Sequence, residues 1–215
     1  MADRRAIIEA FCEECVWARA VRTHFADLFE ANEERSQLQS EVANIFFHDL
    51  NLILIEYILL QQCKLTDPAS SGKDKDNLTT NFILELPWSP ETKRILKEAN
   101  DELMQFREKI IDGRRKAIAH ADLRSRVELI RMGEFSPDDE AKFWSALQTF
   151  VDAAHSEAIG GPYEINAAMV DGDVASLVHA LKDAVDYEYL VHNEEGFLLR
   201  RVGWSQQRRR RCWTP

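Results

Sequence analysis

Residues 89–113 read SPETKRILKEANDELMQFREKIIDG, and RRKAIAHAD follows at once as residues 114–122. The first run decides the fold. Ser89-Pro90-Glu91 is a strong helix start, a hydroxyl cap followed by proline at the first helical position. Ile95/Leu96, Ala99, Leu103, Phe106 and Ile110 then recur at three- and four-residue steps, leaving one face apolar and the other charged. Such a helix buries its stripe against other helices and leaves its charges in water.

The same period extends in both directions. Ile7, Ile8, Phe11, Cys15, Ala18, Val21 and Phe25 predict a helix over residues 3 to about 30. After the polar stretch Glu30 to Ser36 comes a second helix, about 37–64. It is apolar around most of its circumference, the expectation for a buried central member of a bundle. TDPASSGKDKDN (66–77) reads as a loop, and a short helix from Asn77 closes at Pro87. Downstream, 123–134 reads as an irregular or short extended crossing. Ser136-Pro137-Asp138-Asp139 opens a helix carrying Phe143, Leu147, Phe150, Val151 and Ala154 to about Ala158. Trp144 in it reads as a core or interface anchor. Gly160-Gly161-Pro162 is the clearest boundary, and Val174, Leu177, Val178, Leu181 and Val185 make a last helix to about Leu190. With 8 Gly and 6 Pro among 215 residues there is little punctuation, which favours long helices. The expectation is an all-α bundle of four to six helices over 1–158, a helical extension over 159–199, and a basic, disordered tail over 200–215.

The net charge of −10 excludes a protein that coats nucleic acid indiscriminately. Between Arg107 and Arg131, however, eight Lys/Arg stand against four Asp/Glu, a local positive excess suited to phosphates. The tail carries six arginines and no acid from residue 200 onward. Met1 to Glu14 is too mixed for a secretory leader. The apolar stretch Val42 to Leu60 is interrupted by Asn44, His48, Asp49, Asn51 and Glu56, which predicts a buried helix and no membrane span. Cys12-x-x-Cys15 has metal or redox spacing but no second pair nearby, so free buried thiols and a reducing cytoplasm are expected.

The chemistry concentrates in Asp112 to Asp122. His120 can take or give a proton near neutrality, while Arg114 and Arg115 offer permanent charge and a planar donor fork. At about 3.6 residues per turn, Arg114 and Arg115 diverge from His120 by about 120° and about 140°. Lys116, His120 and Arg124 are successive i, i+4 neighbours and share a face. For either arginine to meet His120 on one phosphate, the helix must loosen near Gly113 or two chains must pool residues. The alternative is a solvated basic helix end, favoured by the macrodipole. In the second helix Asn44, His48 and Asn51 fall near one line, with Asp49 beside them. They suit a satisfied buried network, a dimer seam, or a second wall of the site with His48 facing His120.

The run Arg114-Arg115-Lys116-Ala117-Ile118-Ala119-His120-Ala121-Asp122 resembles the HEPN superfamily, in its abortive-infection U-type branch, whose motif reads roughly Arg-Asn-Lys-x-x-Ala-His-x-Asp. Phe46-Phe47-His48-Asp49-Leu50, and the later Lys64-Leu65-Thr66-Asp67-Pro68, resemble it too, and the similarity spans about residues 5–155. Arg115 departs from the Asn, Asp or His usual there, which leaves two frames, one led by Arg114 and one by Arg115. The resemblance implies an endoribonuclease that needs neither metal nor cofactor, the effector of a phage-defence or toxin–antitoxin system. Its partners would be RNA, a second copy of itself and an antitoxin, nucleotidyltransferase-type or other, with no membrane. His120 would act as general acid or base, Arg114 or Arg115 would stabilise transition-state charge, and Lys116 and Arg124 would hold phosphate. The alternative is a non-catalytic helical dimer in which the same cations merely hold nucleotide, RNA or a partner protein.

Overall fold

Each helix begins where the sequence supplies a cap. In the computed structural model, which describes residues 3–72, 76–113, 135–166 and 172–193, these are six α-helices, with no strand among the described residues. The Asp3 carboxylate accepts from Arg5 N to open α1 (Arg4–Phe25), and Asn32 Oδ1 accepts from Arg35 N (2.9 Å) to open α2 (Glu33–Leu65). Thr79 Oγ1 and Ser89 Oγ accept from Phe82 N and Thr92 N, each at 3.2 Å, ahead of α3 (Thr80–Glu85) and α4 (Pro90–Gly113). Ser136 and Asp139 form a reciprocal capping box on α5 (Pro137–Ala158). Asp173 Oδ1 accepts from Ala175 N at the head of α6 (Val174–Asn193). Between α1 and α2, Ala26–Glu30 widens into a π-helical turn.

The chain forms two compact units that interleave along the sequence: 1–26 with 49–168, and 27–48 with 169–215. The first holds the main core. Ile8, Phe11 and Cys15 of α1 pack with Leu96, Leu103 and Ile110 of α4 and with Phe143, Leu147 and Phe150 of α5. Ile83, Leu59 and Cys63 join the same cluster. Phe106 stacks 5.0 Å from Phe143, and Phe11 meets Phe150 edge-on at 5.9 Å. Fully burying a side chain of this size is worth about 1.5–3 kcal/mol. The apolar face of α4 alone therefore contributes as much as the whole net stability of a typical domain. Its stripe, Leu96 to Ile110, is the one read from the sequence. Trp144 is buried as expected, and Cys12, Cys15 and Cys63 are buried thiols in no disulfide among the described residues. Burial pushes the Cys12 thiol up to about 12 and Cys15 well above its ordinary value.

In the second unit Leu28, Leu38, Phe47, Val174 and Val178 are buried. Gln39 Nε2 donates to Leu28 O (2.7 Å), the Arg35 guanidinium to Asp27 O, and Lys182 pairs with Glu34 at 2.7 Å.

One expectation is corrected here. The second helix is not buried: Ile45 is 77% exposed, Phe46 61%, Ile53 60% and Leu52 48%. A helix apolar all round cannot cover its whole circumference with the partners available. Here Leu38, Phe47, Ile58, Leu59, Cys63 and Leu65 are covered, while Ile45, Phe46, Leu52 and Ile53 stand open. The helix also starts four residues before the predicted 37, at the Asn32 cap, and its backbone leaves the helical region at Ala43 (φ −161°, ψ 66°).

Candidate functional site

Arg114, Arg115, Lys116, His120 and Arg124 lie outside the described residues, as does the whole predicted crossing 123–134. The structure describes the residues on either side, up to Gly113 at the end of α4 and from Phe135, just before the Ser136 cap of α5. Among the described residues of the first unit those two helices share the most extensive packing. Near these ends the Lys109 ammonium meets the Asp139 carboxylate at 2.8 Å, and Phe106 contacts Phe135 edge-on at 5.1 Å. Lys109 and the Ser136 cap together hold the Asp139 carboxyl well below the usual carboxylate range. The last turns of α4 are thus tied to the start of α5.

A second anchor lies seven residues before Arg114. Arg107 donates through Nη1 to Cys63 O (2.6 Å) and Thr66 Oγ1 (3.1 Å), and through Nη2 to Asp67 Oδ1 (2.6 Å). Both side chains of this ion pair are mostly buried, Arg107 11% and Asp67 20% exposed. Asn81 Nδ2 donates to Thr66 O and Asp67 O, and Asn100 Nδ2 donates to Asn81 Oδ1. The run Lys64 to Pro68 is therefore the C-terminal end of α2 and its exit, clamped to α4. Sequence reasoning noted the run and missed its partner. The available signal was a carboxylate in a Thr-Asp-Pro turn and an arginine on the flank of the apolar stripe, i+4 from Leu103 and i−3 from Ile110.

The proposed second wall lies on α2. Asn44, His48 and Asp49 are exposed and Asn51 is half-buried. Among the described residues their side chains make no hydrogen bond or ion pair, and three of the four are exposed, so they do not form a satisfied buried network. Among the described residues no group of three His, Cys, Asp or Glu is placed to hold a metal.

A feature that sequence reading did not anticipate is a cleft of about 660 Å³ between α1 and the first three turns of α5. Arg22 and Glu140 form a two-point ion pair across it, Nε to Oε1 at 2.7 Å and Nη2 to Oε2 at 2.9 Å. Glu140 Oε1 also accepts from Gln62 Nε2 and Trp144 Nε1, each at 3.3 Å. Arg19 lies over the Trp144 ring at 5.0 Å, and its Nε donates to Asn166 Oδ1 at 2.9 Å.

Compared with known families, residues 1–187 match the model of the HEPN domain of AbiU2. No curated protein and no solved structure matches the chain. The match covers well over half the sequence, including α1 to α5 and the whole segment from Arg114 to Asp122, and the all-α bundle agrees with it. The chain belongs to the AbiU2 family of HEPN domains, a family of abortive-infection proteins.

Proposed function

We propose that the chain is a metal-independent endoribonuclease and the effector of an abortive-infection or toxin–antitoxin system. The observation that carries this reading is the match of the AbiU2 HEPN model across Arg114 to His120. The Lys109–Asp139 and Phe106–Phe135 contacts support it in that they fix the last turns of α4, which lead into that segment. In the reaction the ribose 2′-OH gives up its proton to a base as its oxygen bonds to phosphorus. The P–O5′ bond breaks, and the leaving 5′-oxygen is protonated by an acid, leaving a 2′,3′-cyclic phosphate and a 5′-OH. His120 supplies one of the two proton transfers. Arg114 stabilises charge on the phosphorane-like transition state, and Arg115, Lys116 and Arg124 hold the RNA backbone. The need for a 2′-OH spares DNA.

The site is shared between two copies. The angular mismatch of the arginines with His120 calls for residues from a second chain, and two-fold dimers are the commonest closed assembly. The helix Glu33–Leu65 is long and apolar enough to cross a membrane by length and composition. His48, Asp49 and their neighbours would be costly in hydrocarbon. We read its open face as covered by the partner copy, with Asn44, His48, Asp49 and Asn51 walling the site, in a cytoplasmic protein held in check by an antitoxin.

The test is RNA cleavage in excess chelator. Cyclic-phosphate ends, with activity lost in His120→Ala, are expected. Strict Mg²⁺ dependence or 3′-OH ends would overturn the mechanism. Arg114→Ala should lower turnover by about 10²- to 10³-fold, the loss expected for one transition-state donor, while Arg115→Ala weakens RNA binding. Mixing Arg114→Ala with His120→Ala chains should restore activity in the mixed dimer. A monomer at micromolar concentration, or no restoration, rejects the shared site.

A further inference from the structure

We propose that the cleft between α1 and α5 is a binding site for a small organic phosphomonoester, separate from the Arg114–His120 segment and independent of the ribonuclease reading. The cleft, at about 660 Å³, has the size of a small-molecule site. Two arginines enter it three residues apart on α1, whereas the lining contributes a single carboxylate, Glu140. That carboxylate is committed. Arg22 takes both of its oxygens, and Gln62 and Trp144 donate to one of them as well.

Arg19 is the cation left over. It is half-buried, its Nε is bound to a neutral amide, and one face of its guanidinium rests on Trp144. Among the described residues no carboxylate pairs with it and neither Nη makes a hydrogen bond. Glu140 and Glu164 act on it through space, without a hydrogen bond, and Asn166 stands between, its amide donating to Glu164 Oε1 at 2.6 Å. Burial, and then the charge of Arg22, lower the pKa of Arg19, so the protein bears a cost for keeping this charge where it is. An oxyanion received on the open Nη edge offsets that cost. A guanidinium fork suits phosphate, and the Ser145 hydroxyl lies in the same lining. Pro137, Ala141 and Ile165 supply an apolar wall beside it, which a bare inorganic ion would leave unused.

The experiment is isothermal titration of the full chain with phenyl phosphate and with inorganic phosphate, followed by Arg19→Gln and Ser145→Trp. Saturable binding of phenyl phosphate is expected, at least tenfold tighter than inorganic phosphate. Arg19→Gln should weaken it at least tenfold. If that variant fails to fold by circular dichroism, Ser145→Trp, at an exposed lining position, should block the cleft and give the same loss. An Arg114→Ala/Arg115→Ala chain should bind as the unmodified protein does, so loss of cleavage there leaves this result standing. No saturable binding, equal affinity for the two probes, binding indifferent to both cleft variants, or binding lost with Arg114 and Arg115 would each overturn the proposal.

Discussion

Replacing Asp67 with Leu should destabilise the bundle far more than a surface change. Among the described residues, the substitution leaves Arg107, 11% exposed, with two neutral acceptors, Cys63 O and Thr66 Oγ1, and no paired carboxylate. Breaking one partner of a fully buried ion pair costs about 3–5 kcal/mol. Because Asp67 keeps 20% of its surface in water, about 2–3 kcal/mol is the expectation here. For a chain of this length that corresponds to a fall in Tm of about 4–12 °C. Arg107→Met should cost a similar amount, because it strands the carboxylate. The double variant should cost much less than the two together, since two apolar groups of matching size no longer leave a buried charge unpaired. Urea unfolding followed by far-ultraviolet circular dichroism on the four proteins yields the coupling directly. A coupling below about 0.5 kcal/mol, the level at which independent sites simply add, would refute the claim that this pair clamps α2 to α4.

Ser136→Ala removes the capping box of α5 and should cost about 1 kcal/mol in the same assay. Substitution by Gly should cost a few tenths only. The Asp139 carboxyl is held low in the folded chain, so its stabilisation is fully present above the ordinary Asp pKa of about 3.9 and is lost as pH falls below it. The stability gap between the unmodified protein and Asp139→Asn should therefore narrow on acidification from pH 5 to pH 2, and a constant gap would contradict the assignment. Cys12, Cys15 and Cys63, buried and with the Cys12 thiol pushed up to about 12, should resist a thiol reagent at pH 8 in the native protein. Peptide mapping should find all three labelled only after denaturation.

The apolar stripes of α1, α4 and α5 were legible because each is amphipathic at one period, with a cap and a proline marking its start. The α2 reading failed for the converse reason. A helix apolar all round carries no information about which face is covered, so Phe47 and Ile45 look alike in sequence while one is buried and the other open. The break at Ala43 was equally invisible, because alanine is the best helix former and local propensity argues against it. Arg107, Asp67, Arg22 and Glu140 meet across 40 to 118 residues of chain, and no spacing rule links charges that far apart. The family was legible through the order of residue types from Arg114 to Asp122, and the family match over residues 1–187 bears that out, whereas helical periodicity alone would have left the run as a basic helix end.

The clamp at Lys109–Asp139 has a consequence for how variants of this chain are read. Residues 114–136 span two helices whose mutual position is set by Phe106, Phe135, Phe143 and that ion pair. These contacts are made between α4 and α5 themselves, by residues other than those the motif uses. A substitution at Lys109 or Asp139 therefore acts first on the packing of the scaffold, and a loss of activity there would be no evidence of a part in the chemistry.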